Sequence, residues 1–209
     1  MDEKTLKKTH KILLSILRFT LVIAIILEIL NKRWFTLFIT FITIILTFLP
    51  MFFEKKYKID IPDSFEILII LFIYSSIYLG EVQQFYLKFW WWDILLHFWS
   101  AMALGMIGLT ILFILYEKEK ISTKPFWISL FVFAFAVSMG TVWEIFEFFM
   151  DQVFGTNMQK SGLIDTMADL IVDSIGALII AIAGYIYIRT NRGTYITNTV
   201  ERLIKEIKK

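Results

Sequence analysis

The 209-residue chain contains no cysteine. This excludes disulfides, thiolate nucleophiles and Cys-ligated zinc or iron–sulfur centres, although it does not identify a compartment. Charge is also scarce, at 19% of residues with a formal net charge of +2. Basic residues are confined almost wholly to connections and tails and never form a stripe interleaved with aromatics, so nucleic acid is excluded as the expected partner. No low-complexity linker or internal repeat is present. A secretory signal would place a small-residue cleavage site after a short apolar core. None follows the run from Ile12 to Leu30 behind Lys4, Lys7, Lys8 and Lys11, so this run, with Glu28 near its end, reads as a first retained helix.

What the chain has in abundance is apolar sequence, 58% of all residues, in runs close to the roughly 20 residues that cross a bilayer. The pattern predicts an all-α, polytopic membrane helix bundle forming one transmembrane domain over residues 1–209. Its six transmembrane helices lie at about 12–30, 34–53, 65–80, 93–116, 125–151 and 165–188. The third is short, and is tilted or continues through Glu81 to Phe89. Five helices are the alternative count. Chemistry must then occur within the bundle, in a motif-bearing core at 93–184. The stretch from Thr197 to Lys209 is expected to form a short amphipathic helix in the cytoplasm.

Orientation follows from the preference of Lys and Arg for the cytoplasmic side. The N-terminal tail, the Glu54 to Ser64 loop, the Glu117 to Lys124 loop and the C-terminal tail hold 4, 3, 3 and 6 basic residues. The remaining connections hold only Lys32, Arg33, Lys88 and Lys160. Both termini are therefore expected in the cytoplasm, in the cell membrane. Trp34, Trp127 and the run Trp90, Trp91, Trp92 fall where interfacial aromatics belong.

Against this apolar background, ionisable residues recur on the helical period. Asp93 and His97 share a face that continues through Ala101, Gly105 and Gly108. A second row is Ala136, Gly140, Glu144, Glu147, Asp151, and a third is Asp165, Asp169, Asp173, Ala177, Ala181, Gly184. Residues three, four or seven apart lie on one helix face. Small residues let membrane helices approach closely, so the three seams are expected to meet and bring their acidic halves together. At about 1.5 Å per residue, His97, Glu147 and Asp169 lie roughly 6 Å below the outer ends of their helices, with Glu144 and Asp173 deeper. The expectation is an acid-lined funnel facing outside.

Seven carboxylates and one imidazole cannot all keep their solution charge states in such a space. Either a cation compensates them or several carry protons. His97, Glu144, Glu147, Asp169 and Asp173 are the candidate ligands of a divalent metal. Oxygen ligation suits Mg²⁺, Mn²⁺ or Ca²⁺, and a histidine also admits Zn²⁺ or Fe²⁺. His97, Glu144 and Glu147 are the candidate catalytic groups around an activated water. Asp93 and Asp165 also fit helix N-caps. The connection from Gln152 to Ile164, rich in turn residues, is either an ordinary link or a lid in which Asp151, Asn157 and Gln159 meet a substrate.

The stretches WWDILLHFWSA, GTVWEIFEFFMDQVFGTNMQ and GLIDTMADLIVDSIGA closely resemble the YjdF-like family of small integral membrane proteins. The resemblance covers roughly Asp93 to Ala177 and implies a membrane protein without an assigned chemistry. More distantly, the layout resembles the VanZ-like proteins, which are associated with teicoplanin resistance and the cell envelope. The matching positions are Asp93 and His97, Glu144 or Glu147, then Asp169, Asp173 and Gly176. Asp173 stands where that pattern has Asn, and no Arg lies between Asp151 and Asp169.

These observations lead to the expectation of a metal-dependent membrane enzyme acting by hydrolysis or group transfer on membrane lipid, specifically an outer-leaflet lipid or envelope precursor. The alternatives are a cation or proton transporter and a non-catalytic lipid-binding protein. A transporter relay would need ionisable groups along the inner halves of the seams, which hold only Ala and Gly. Nothing in the residues sets an oligomeric state.

Overall fold

A computed structural model describes residues 3–58, 61, 63–117, 123–190, 193, 197, 200, 201 and 204. Among these residues no strand occurs, and six helices are long and apolar enough to cross a membrane: His10–Leu30, Trp34–Tyr57, Phe65–Val82, Trp92–Leu115, Pro125–Phe154 and Leu163–Thr190. Their outward faces carry Phe, Ile, Leu and Val at high exposure, such as Phe35 at 75% and Ile164 at 76%. In lipid such a surface is solvated, while helical hydrogen bonding satisfies the backbone. The protein is a multi-pass, all-α membrane protein.

The chain forms two compact units, one of Met1–Trp92 with Glu206–Lys209 and one of Asp93–Lys205. In the first, α1 (Glu3–Leu30) and α2 (Trp34–Leu46) are joined by a tight turn at Asn31, Lys32 and Arg33. The span predicted over 34–53 is divided into α2 and α3 (Leu49–Tyr57). Pro50 explains the break. It stands at the start of α3, and a proline ring conflicts with the carbonyl four residues back, here Leu46, the last residue of α2.

The third span begins as α4 (Asp63–Ile73) and widens into a π-helical segment, Tyr74–Val82. Gln84 then takes a left-handed backbone at φ 59°, so the helix does not continue to Phe89, and Phe85–Lys88 forms a separate turn, α5. The Trp92 indole N–H donates to the Ser75 carbonyl at 3.2 Å.

Polar residues within this unit are matched to one another. Thr40 and Thr43 on α2 and Thr47 at its C-cap form a wholly buried row. Thr40 donates to Glu28 at 2.9 Å. Arg18 donates to the Thr47 hydroxyl and carbonyl at 3.2 and 2.8 Å, and its guanidinium lies 4.1 Å from the centre of the Phe48 ring. An arginine at membrane depth is tolerated when its donors are satisfied internally.

The second unit is built from α6 (Trp92–Glu117), α7 (Pro125–Phe154) and α8 (Leu163–Thr190). The seams meet as their composition predicts. A Cβ on Gly176 would stand 2.9 Å from the Phe98 carbonyl, and one on Gly105 3.0 Å from Ile180 Cβ. Gly184 faces Leu109, and Gly108 faces Phe135. These approaches leave an apolar core around Leu109, Ile128, Val132 and Ile180.

Of the predicted C-terminal helix, Thr197, Val200, Glu201 and Ile204 are described and helical, and the rest lies outside the described residues. Val200 and Ile204 are buried in that same core, and the Tyr187 hydroxyl donates to Glu201.

Candidate metal centre

Asp93 opens α6 in its first turn, and His97 follows four residues on, so both project from one face. On α7 the buried positions are Ile128, Val132, Ala136, Gly140, Glu144 and Glu147. On α8 they include Asp169, Asp173, Gly176 and Ala177. The seams therefore carry their acids inward.

His97 lies at the centre of the group and is 6% exposed. Its Nδ1 faces Asp173, 3.4 Å from Oδ1 and Oδ2 alike. Its Nε2 faces the opposite way, 3.7 Å from Glu144 Oε1 and 3.9 Å from Asp93 Oδ1. His97, Glu144 and Asp169 each offer a ligand atom within 4.8 Å of the others, and all three are buried. Asp93, Asp165 and Asp169 form a second such group, so Asp169 belongs to both.

The two groups differ in compensation. Lys160 Nζ lies 2.5 Å from Asp93 Oδ2, and the Lys160 backbone N–H donates to Asp165 Oδ2 at 3.1 Å. The first group has less support: among the described residues Asp169 Oδ2 and, on the other side of His97, Asp173 Oδ1 are buried without a hydrogen-bond partner, and the buried Glu144 oxygens meet only the Thr166 side chain, short of good hydrogen-bond geometry. A buried polar atom left unpaired costs about 1–3 kcal/mol, and a charged one more. Such oxygens around one imidazole make a site that could hold a cation.

The other predicted residues take different positions. Glu147 is buried one turn from Glu144 and accepts the Trp143 indole N–H at 2.9 Å. Asp151 orders the following connection, accepting Thr156 Oγ1–H at 2.6 Å and the backbone N–H groups of Met158 and Gln159 at 2.7 and 2.9 Å. Gly155 ends α7 at φ 66° and donates its N–H to the Asp151 carbonyl, a left-handed cap that glycine adopts without strain. Gln159 donates to Thr166 at 2.7 Å, and Asn157 is exposed. The connection returns to the acids through Lys160, a contact the sequence reading did not single out.

A family of predicted membrane proteins (DUF2238) matches residues 12–190. The chain belongs to this family. The match takes in the first three spans besides the stretches that resemble YjdF-like proteins, and it is consistent with that resemblance. An uncharacterized protein of Thermotoga maritima is 29% identical over 134 residues, 64% of this chain and 68% of the relative. No solved structure matches.

Proposed function

We propose that this protein is a membrane-embedded enzyme of the cell membrane. It would depend on a divalent cation and act by hydrolysis or group transfer on an outer-leaflet lipid or envelope precursor. The observation that carries the reading is the convergence of His97, Glu144 and Asp169, one ligand atom from each within 4.8 Å of the others, with Asp169 Oδ2 buried and without a hydrogen-bond partner among the described residues.

Asp173 faces the other ring nitrogen. A carboxylate in that place holds the tautomer and ring orientation of a metal-binding histidine. We assign ligation to His97, Glu144 and Asp169 and positioning of His97 to Asp173. Glu147 is the carboxylate at hand to take a proton from an attacking water. The bound cation would supply polarisation of the reacting oxygen and activation of that water. Asp151 in the last turns of α7, with Asn157 and Gln159 of the connection it orders, stands where a substrate headgroup would enter.

On the face of α8 away from Asp169 and Asp173, Leu170, Ile171, Ile175 and Leu178, with Ser174 and Phe133, line an open, mostly apolar groove, a surface for surrounding lipid and not part of the acidic site. A proton or cation relay along the seams is disfavoured. Below the acids, Gly105, Gly108 and Gly184 are packed against Ile180, Phe135 and Leu109, leaving no titratable steps. A purely structural hydrogen-bond network is disfavoured by the oxygens without partners.

The test is metal content per chain in detergent-purified protein, with and without Glu144→Gln/Asp169→Asn. The double variant should lose one equivalent, together with any turnover of extracted envelope lipids. Equal metal content in the two proteins would overturn the reading.

A further inference from the structure

We propose that His10, Asp63 and Glu66 form a second divalent-cation site, in the first unit, at the bilayer edge where the first and third spans begin. His10 is the first residue of one span, and Glu66 is the second of the other. Asp63 and Glu66 are three residues apart in the first turn of α4, so both carboxylates rise on one face. His10 comes to them from α1 and is 6% exposed.

The imidazole lies between the acids. Nδ1 is 3.0 Å from Asp63 Oδ1, and Nε2 is 3.0 Å from Glu66 Oε2. One ligand atom from each residue lies within 4.8 Å of the others. Among the described residues Nε2 is nevertheless buried without a hydrogen-bond partner, because its closeness to Glu66 lacks hydrogen-bond direction. Two donors that share one octahedrally coordinated ion at about 2.1 Å each stand about 3.0 Å apart while both point at the ion instead of at each other. That is the relation between Nε2 and Glu66.

Asp63 completes the arrangement. At 3.0 Å from Nδ1, it is placed to favour the tautomer that leaves Nε2 free to ligate, the role of a carboxylate behind a metal-binding histidine. Its side chain is 42% exposed, so ion and water can enter past it and fill the remaining coordination positions. Arg18, a cation about two turns deeper on α1, donates to Thr47 and lies over Phe48, and it acts on Glu66 through space without an ion-pair contact among the described residues. A first-row ion that accepts octahedral N/O coordination, such as Mn²⁺, Co²⁺ or Zn²⁺ with added waters, suits one nitrogen with one carboxylate. Bound there it would clasp α1 to α4, two helices separated in sequence by the whole second span.

The site is tested on the full chain in detergent by equilibrium dialysis against Zn²⁺ and by the visible absorption of bound Co²⁺. Glu144→Gln/Asp169→Asn serves as one background, so that the result does not depend on the function proposed above. That background should retain one equivalent, which His10→Ala and the near-isosteric Glu66→Gln should each abolish. Asp63→Asn should weaken binding roughly 10- to 100-fold. In the otherwise wild-type chain, Glu66→Gln should lower the stoichiometry by one. Metal content unchanged by Glu66→Gln in both backgrounds, or a background that binds nothing, would overturn the proposal. It would leave His10 as an imidazolium bridging two acids. A wild-type chain and a Glu144→Gln/Asp169→Asn chain with equal stoichiometry would instead count against the centre at His97 alone.

Discussion

Gly140 and Asp173 meet across the contact of α7 and α8 so closely that a Cβ on the glycine would stand 2.9 Å from the carboxylate carbon. The hydrogen at Gly140 is what gives Asp173 room to lie alongside His97. Gly140→Ala should therefore displace the acid and lower stability by about 1–3 kcal/mol, the usual penalty of overpacking. Thermal unfolding checks this. Asp173→Ala made in the same chain should recover part of the loss, a coupling that only contacting residues show.

Asp173→Asn should separate positioning from ligation. The amide keeps the shape but no longer favours the Nδ1–H tautomer of His97 as a carboxylate does, so metal affinity should fall roughly 10- to 100-fold. Helix content should be unchanged. Asp169→Asn should lose the ion altogether. Competition with a chromophoric chelator measures both, and equal affinities for wild type and Asp173→Asn would count against the assignment.

Chelator treatment should lower the melting temperature of the wild-type protein, because a ligand bound only to the folded state adds about 2.7 kcal/mol at 100 times its Kd. Restoring a divalent ion should reverse the loss. In Glu144→Gln/Asp169→Asn the metal-dependent rise should be smaller by the share belonging to that centre. A rise of the same size in both proteins would contradict it.

The connection after α7 is tied down at two points, by Asp151 to its own backbone and by Lys160 to Asp93. Asp151→Ala removes three accepted hydrogen bonds and should speed amide exchange and proteolysis across 152–162 while the spans stay protected. Lys160→Ala should loosen the same segment and leave Asp93 without its ammonium partner. Unchanged exchange in both variants would show that the connection is held by other contacts.

Much of the fold was legible before any coordinates, because the bilayer makes helix existence a matter of run length. The six spans and the small-residue stripes of α6, α7 and α8 fall where the sequence pattern places them. Two boundaries did not. Pro50 divides the second span, and the π-helical widening from Tyr74 alters the end of the third; both depend on how single backbone carbonyls are accommodated, which a hydropathy average does not register.

The amino-acid order alone determined that this is a multi-pass membrane protein whose ionisable residues share helix faces, since 3.6-residue periodicity and apolar length are local properties. Tertiary packing decided which of those residues meet. Asp173 faces Nδ1 of His97 while Glu144 faces Nε2, Glu147 pairs with Trp143, and Asp151 turns to the connection. Likewise His10 finds Asp63 and Glu66 more than 50 positions away. Periodicity fixes a face but not the partner opposite it, because the rotation and depth of one helix against another arise only when the glycine contacts close.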